Sequence, residues 1–424
     1  MTDVVITGLG VVSPLGHTLE DYWNGLLRGD VPIRPLDYPG TAIHGSLTYL
    51  VEDAPAVAAD LGRASGFAVA AARSAFADAG LAGAPQEVLD GVGVCVGTGN
   101  GDSDLREQER DGLRELTGVQ WYPFGTAAIV ASALDLHGPG GTVSTACAAG
   151  AYAVSFGVEM ITSGEADLVL VGGAEAVSRP AIGAFLRLGA ADKLHCRPFD
   201  AERGGTVYGE GAAFLVLESA EHAAQRGQRP YAKVLGAGWS CDASHVTAPD
   251  VSGEQADRAA REALARGGIT EQAIGAVLSH GTGTPANDST ESRTTARVLA
   301  QRTPDVPVAA IKASLGHSGG AAGAFSCVTA ALVVRHQLVP PVGTLRQTDP
   351  ECELRLVRDV PQATAGDAVL VNAYAFGGNN ITVAIGAAEP LSSATAESAA
   401  TAVTAVTSGS GATSGIAVTS GVTR

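Results

Sequence analysis

Apolar positions along this chain fall into two formats. Short runs such as Val92-Gly93-Val94-Cys95-Val96, Leu168-Val169-Leu170-Val171, Ala276-Val277-Leu278 and Val369-Leu370-Val371 are bounded by glycine or polar residues. Continuous runs of this kind predict strands buried on both faces, because a strand with one wet face would alternate. Longer alanine-rich stretches at 67–79, 148–163, 255–266 and 321–337 read as helices, and the first three run into Gly80, Gly164 and Gly267.

These elements recur in the same order. Helix 67–79, a glycine stop and the apolar segment 91–99 ending Gly97-Thr98-Gly99 are matched by helix 255–266, Gly267-Gly268 and the segment 275–283 ending Gly281-Thr282-Gly283. Cys147 opens helix 148–163, as the turn holding His317 opens helix 321–337. Segment 167–173 likewise matches 368–372. The repetition predicts an α/β chain of two similar halves, 1–240 and 241–388, with mainly parallel sheets covered by helices on both faces. Residues 389–424 are mostly Ser, Thr, Ala, Gly and Val without an aromatic side chain. So little apolar surface does not offset the entropy of ordering, and a flexible tail is expected.

Composition narrows the function. A chain of 424 residues can bury a large core. Its start, Met1-Thr2-Asp3, lacks a basic leader region, and no uncharged apolar run reaches about 18 residues, so a cytoplasmic protein with no membrane span is expected. Six cysteines without a CxxC pair point to neither a zinc site nor a disulfide framework. A formal net charge of −17 disfavours nucleic acid as a partner.

Cys147 is the candidate nucleophile. It stands in Val143-Ser144-Thr145-Ala146-Cys147-Ala148-Ala149-Gly150, at a helix start whose exposed N–H groups favour a thiolate. A small buried hydrophobe is the alternative reading of such a cysteine. His280, in Ser279-His280-Gly281-Thr282-Gly283-Thr284-Pro285, and His317, in Leu315-Gly316-His317-Ser318-Gly319-Gly320, each lie in a glycine-rich turn after a strand-like segment. With Cys147 they form a candidate nucleophile and proton-handling set. Val371-Asn372-Ala373-Tyr374-Ala375-Phe376-Gly377-Gly378 ends in a turn that either closes a hairpin or presents N–H groups to an oxyanion.

In this order and spacing, the four segments resemble the β-ketoacyl-acyl carrier protein synthases, the decarboxylating ketosynthases of fatty acid and polyketide synthesis, over residues 3–388. The opening Val4-Val5-Ile6-Thr7-Gly8-Leu9-Gly10 is similar too, as are Arg197-Pro198-Phe199-Asp200 and Gly209-Glu210-Gly211-Ala212. The resemblance implies the α/β thiolase fold, five layers (αβαβα) made of two pseudo-duplicated halves. It implies that Cys147 accepts an acyl group and that the N–H groups of Cys147 and Phe376 form the oxyanion hole. His280 and His317 would stabilise the enolate left by malonyl decarboxylation. Lys312 and Glu291 match an ion pair that orients the loop of His317. Thr282 and Thr284 match contacts to the phosphopantetheine arm, and Asn100, Leu186 and Phe376 match the acyl pocket or its gate. No tightly bound cofactor and no metal are implied, since phosphopantetheine arrives on an acyl carrier protein. The chain would act as a homodimer or as a heterodimer with a chain-length factor. Such carriers are acidic, so docking on this acidic chain needs a local basic patch, for which Arg63, Arg73, Arg187, Lys193 and Arg203 are candidates.

Departures from the family pattern bear on the substrate. Asn100 stands where fatty acid-type members carry a bulky apolar residue, with Asp102 and Asp104 close by. An amide buried without a partner suits a saturated chain poorly. Tyr374 and Asn379 stand where Phe and Thr are more usual, and the segment between Gly183 and Arg197 is short. A type II polyketide ketosynthase for polar or unsaturated chains is therefore expected. Fatty acid elongation is the alternative, and a non-catalytic chain-length partner is a third reading that Cys147 argues against. A thiolase would need a second cysteine, and none stands near Gly377-Gly378.

Overall fold

Eleven strands among the described residues hydrogen-bond into one sheet. The computed structural model describes residues 2–38, 41, 43, 45–54, 61–116, 122–192, 194–364 and 366–388. Lys193 and the tail expected to be flexible lie outside them. From one edge the strand order is Arg355–Leu356, Pro307–Ala309, Ile274–Leu278, Ala368–Ala375, Asn379–Gly386 and Ala232–Cys241. It continues with Val4–Val12, Gly211–Ser219, Leu168–Glu175, Gly93–Gly97 and Gly140–Val143. Ala232–Cys241 pairs along its length with Asn379–Gly386, so the sheet places it with the C-terminal strands and not in the 1–240 half. It meets the N-terminal strands at a narrow seam, where Val4, Val5 and Ile6 pair with Val234, Lys233 and Ala232. Val4–Val12, Leu168–Glu175 and Gly211–Ser219 are buried at every position, polar Thr7, Glu175, Glu218 and Ser219 included, because both faces of these strands are covered.

The expectation of mainly parallel sheets needs correction. Five of the ten pairings are parallel and five are antiparallel. Parallel neighbours such as Gly93–Gly97 and Leu168–Glu175 are joined by chain that includes the crossover helix Ala149–Thr162. Ala368–Ala375 and Asn379–Gly386 instead form a hairpin, closed through Gly377 (φ 84°) and Gly378 (φ 76°). Its glycines supply the left-handed turn that other residues resist.

Helices Ala149–Thr162 and Ala322–His336 pack on each other at the centre and touch strands of both halves. Arg63–Asp78 and Thr126–Leu134 cover the outer face of the first half, and Glu254–Arg266, with Pro285–Leu299 against it, covers the second. The two ends of this one sheet therefore flank the central helices, and the layers run helix, sheet, helix, sheet, helix. A near-symmetric contact sets the central crossing. A Cβ on Gly150 would lie 2.7 Å from the backbone N of Ala324, and one on Gly323 would lie 2.6 Å from that of Ala151. Two backbones this close bring the N-termini of both helices, and the turns before them, to one place.

Arg63 and Arg203 do not form part of a free basic patch. Arg63 donates to both oxygens of the buried Glu210, and Arg203 is buried against Asp349 and Asp288. Buried carboxylates need such partners, which takes both cations out of a docking surface. No helix among the described residues is long and apolar enough to cross a membrane.

Candidate active site

Cys147 sits in a tight turn, Ala146–Ala148, that leads into helix Ala149–Thr162, and Ala146 takes φ 47°. That left-handed residue bends the chain so that the cysteine meets the cavity at the helix start. The backbone N–H groups of Phe376 and of Cys147 itself face the sulfur. Burial pushes the thiol up to about 11, opposed by Lys312 and reinforced by the carboxylate of Glu175. The thiolate that the sequence led one to expect at this helix start is not favoured, because loss of water outweighs the helix-start effect.

His280 and His317 face the same cavity, their ring centroids 5.7 Å apart and their planes 85° to each other. Nδ1 of His317 accepts from the N–H of Gly319 at 3.1 Å. Nδ1 of His280 lies 3.3 Å from Lys312 Nζ, and the His280 carbonyl accepts from the same ammonium. With Nδ1 occupied as an acceptor, a neutral ring carries its proton on Nε2. Burial, helped by the charge on Lys312, holds both imidazoles well below their usual range, so neither is cationic near neutrality.

Lys312 and Glu291 serve His280, not the loop of His317, and they do not form the expected direct ion pair. Glu291 accepts from the N–H of His280 at 2.7 Å and of Gly281 at 2.8 Å, while Lys312 holds the His280 ring and carbonyl. The two charges act on one another across the turn they grip: Glu291 opposes the downward shift that burial imposes on Lys312. Burial in turn pushes Glu291 up to about 7 against the N–H groups it accepts from.

The cavity opens to solvent and, counted with that opening, spans about 740 Å³; its lining includes Cys147, His280, His317, Thr282, Thr284 and Phe376. The hydroxyls of Thr282 and Thr284 are 2.8 Å apart and line its polar side. Phe376 stacks on Phe185 at 5.7 Å, and Phe185 meets the edge of His317 at 5.5 Å. Leu186 lies outside this cavity: it is 42% exposed and borders a neighbouring one. On helix Arg179–Arg187 the next residue points about 100° away, so Phe185 takes the inward position. Asn100 also does not line the cavity. Its backbone N–H donates to Glu175 at 2.9 Å, and its side chain donates to the hydroxyl of Tyr208 at 3.3 Å.

Sequence reasoning missed Phe185, Tyr208 and Glu175. Phe185 hid in a segment with no strong motif. Tyr208 reads as one more core aromatic, yet its ring lies parallel to His317 at 6.4 Å. Glu175 carried a signal, being an acid at the end of the apolar run Leu168-Val169-Leu170-Val171-Gly172-Gly173-Ala174.

Comparison with known proteins accounts for this arrangement. Residues 1–223 match the N-terminal domain of the β-ketoacyl synthases and residues 231–346 match their C-terminal domain. The chain belongs to the β-ketoacyl synthase family and is an acyltransferase of the ketosynthase type with the thiolase fold. It is 34% identical to 3-oxoacyl-[acyl-carrier-protein] synthase 2 of Synechocystis sp., over 90% of this chain and 97% of that protein. It is also 34% identical to the tetracenomycin polyketide synthase ketoacyl synthase alpha subunit of Streptomyces glaucescens, over 88% of this chain and 95% of that one. Among solved structures, the ishigamide ketosynthase/chain length factor superposes with a TM-score of 0.85 at 38% identity, covering 92% of this chain and all of the matched one.

Proposed function

We propose that the chain condenses a malonyl unit on an acyl carrier protein with an acyl chain held on Cys147. The observation that carries this reading is the convergence of Cys147, two neutral histidines with Nε2–H, and the N–H groups of Cys147 and Phe376 at one cavity. The sulfur attacks the thioester carbonyl of the incoming acyl group. Its proton leaves as the S–C bond forms, and the departing phosphopantetheine sulfur takes up a proton. Phe376 and Cys147 N–H groups hold the oxyanion, each such donor being worth about 3 kcal/mol. A malonyl thioester then occupies the cavity, its arm against Thr282 and Thr284. The C–CO2 bond breaks, and the electron pair moves into an enolate whose oxygen accepts from Nε2–H of His280 and His317. The enolate carbon attacks the acyl carbonyl to give a tetrahedral oxyanion held by the same N–H groups. Its collapse breaks the C–S bond, and the Cys147 sulfur takes up a proton from solvent to restore the thiol. Neutral imidazoles suit this step: they donate to the enolate without protonating it first.

The substrate reading is a type II polyketide ketosynthase for polar or unsaturated chains. One observation supports it, the likeness to a ketosynthase/chain length factor structure; the Asn100 amide is partnered by Tyr208 and lies off the cavity, so it adds nothing to the reading. The partners are an acyl carrier protein and a second subunit, either a copy of this chain or a chain-length factor. Product profiling of the wild type and of Asn100→Ile tests the substrate reading. A variant profile shifted toward saturated chains would give Asn100 a part in chain choice despite its place off the cavity, while wild-type preference for long saturated acyl carriers sinks the polyketide reading and favours fatty acid elongation.

A further inference from the structure

Glu175 is fully buried at the end of strand Leu168–Glu175, and no cation pairs with it among the described residues. Three backbone N–H groups converge on it instead. Oε2 accepts from Gly320 at 2.7 Å and from Gly99 at 2.8 Å, and Oε1 accepts from Asn100 at 2.9 Å. Gly99 and Asn100 follow a strand of the first half, while Gly320 belongs to the turn after His317 in the second. The residue before it, Gly319, donates to Nδ1 of His317. One carboxylate thus fastens the backbone that sets the His317 ring to the loop beside Asn100.

The packing leaves this fastening no slack. Gly319 has φ 46°, and a Cβ there would lie 2.5 Å from Glu175 Oε2 and 2.7 Å from the Tyr208 hydroxyl. Tyr208 lies parallel to His317 and accepts from the Asn100 side chain, closing the circuit between the two loops. Resting on the condensing function proposed above, we infer that Glu175 is a positioning residue, which in its ionised form latches the His317 turn to the Asn100 loop and loosens it on protonation, slowing malonyl decarboxylation.

The direction follows from hydrogen-bond roles. An ionised carboxylate accepts from all three N–H groups, whereas a protonated one turns an O–H toward donors. Burial pushes Glu175 up to about 7 against those same donors. The other titratable groups that face it, Cys147 and Tyr208, are both driven upward and stay protonated near neutrality. The latch is closed above about pH 7 and opens as pH falls through it.

The test compares the full chain with Glu175→Gln, measuring malonyl-carrier decarboxylation from about pH 5.5 to 8.5 and Cys147 acylation by intact mass. The expected result is a wild-type rate that falls below about pH 7. In Glu175→Gln the rate at high pH drops by up to about a hundredfold, that limb is lost, and acylation stoichiometry stays at the wild-type value. A Glu175→Gln rate within about twofold of wild type, or an unchanged limb, overturns the inference. Should Glu175→Gln fail to fold, Glu291→Gln decides between the two carboxyls that titrate there. A limb that persists in Glu291→Gln belongs to Glu175, and one that vanishes overturns the assignment. A wild-type chain that neither takes an acyl group nor releases CO2 overturns the proposed function itself, a failure the wild-type arm alone reveals.

Discussion

At the scale of single residues, the site is built from groups whose ordinary charge burial suppresses. The thiol of Cys147, driven to about 11, is almost wholly protonated in the resting chain. Its alkylation by iodoacetamide should therefore rise about tenfold for each pH unit between about 7 and 9. Mass-resolved alkylation rates check this, and a plateau near pH 7 would mean a ready thiolate. Lys312 holds His280 by its ring and its carbonyl. Lys312→Ala should cut decarboxylation by about a hundredfold while leaving Cys147 able to accept an acyl group, which separate assays of the two half-reactions distinguish. Equal losses in both would mean that Lys312 supports the fold, not the ring. The individual letters of the site were legible in the sequence because Cys147, His280 and His317 each sit in a distinctive glycine-rich setting. What Lys312 and Glu291 hold was not, since an i to j partnership across a turn depends on where the backbone carries each side chain. Leu186 illustrates the same limit: one residue along a helix separates a cavity wall from a half-exposed surface.

At the scale of elements, the decisive contact is the crossing of the two central helices. Gly150 and Gly323 admit no Cβ without moving the facing backbone. Gly150→Val should cost about 1–3 kcal/mol through overpacking and displace both helix starts together. A lowered melting temperature with a matching loss of Cys147 acylation is expected; full acylation in a destabilised variant would show that the crossing does not set the site. The helices and the main strands were readable from alanine-rich runs, glycine stops and unbroken apolar segments. Their orientation was less so. A buried parallel strand and a buried antiparallel one share the same apolar composition, and only the connections decide between them. The hairpin at Gly377-Gly378 shows the point: it is a tight turn, and it also places the Phe376 N–H against Cys147.

At the scale of the whole molecule, the two halves divide the chemistry. The first supplies Cys147, Asn100 and Glu175, and the second supplies His280, His317, Lys312, Glu291 and Phe376. The seam at Val4–Ile6 is only three pairs long, so the shared central helices carry most of the alignment between nucleophile and histidines. The recurrence of helix, glycine stop and strand made this duplication visible in the sequence. The hydrogen bonds that Glu175 accepts from Gly99, Asn100 and Gly320 were not visible, because every residue but proline carries such a backbone N–H. The most direct measurement of the account is intact mass of the chain after incubation with carrier proteins bearing saturated, unsaturated and oxygenated acyl chains. The account predicts a single acyl adduct on the wild type, absent from Cys147→Ala, whose malonyl decarboxylation survives. An adduct retained by Cys147→Ala would contradict it.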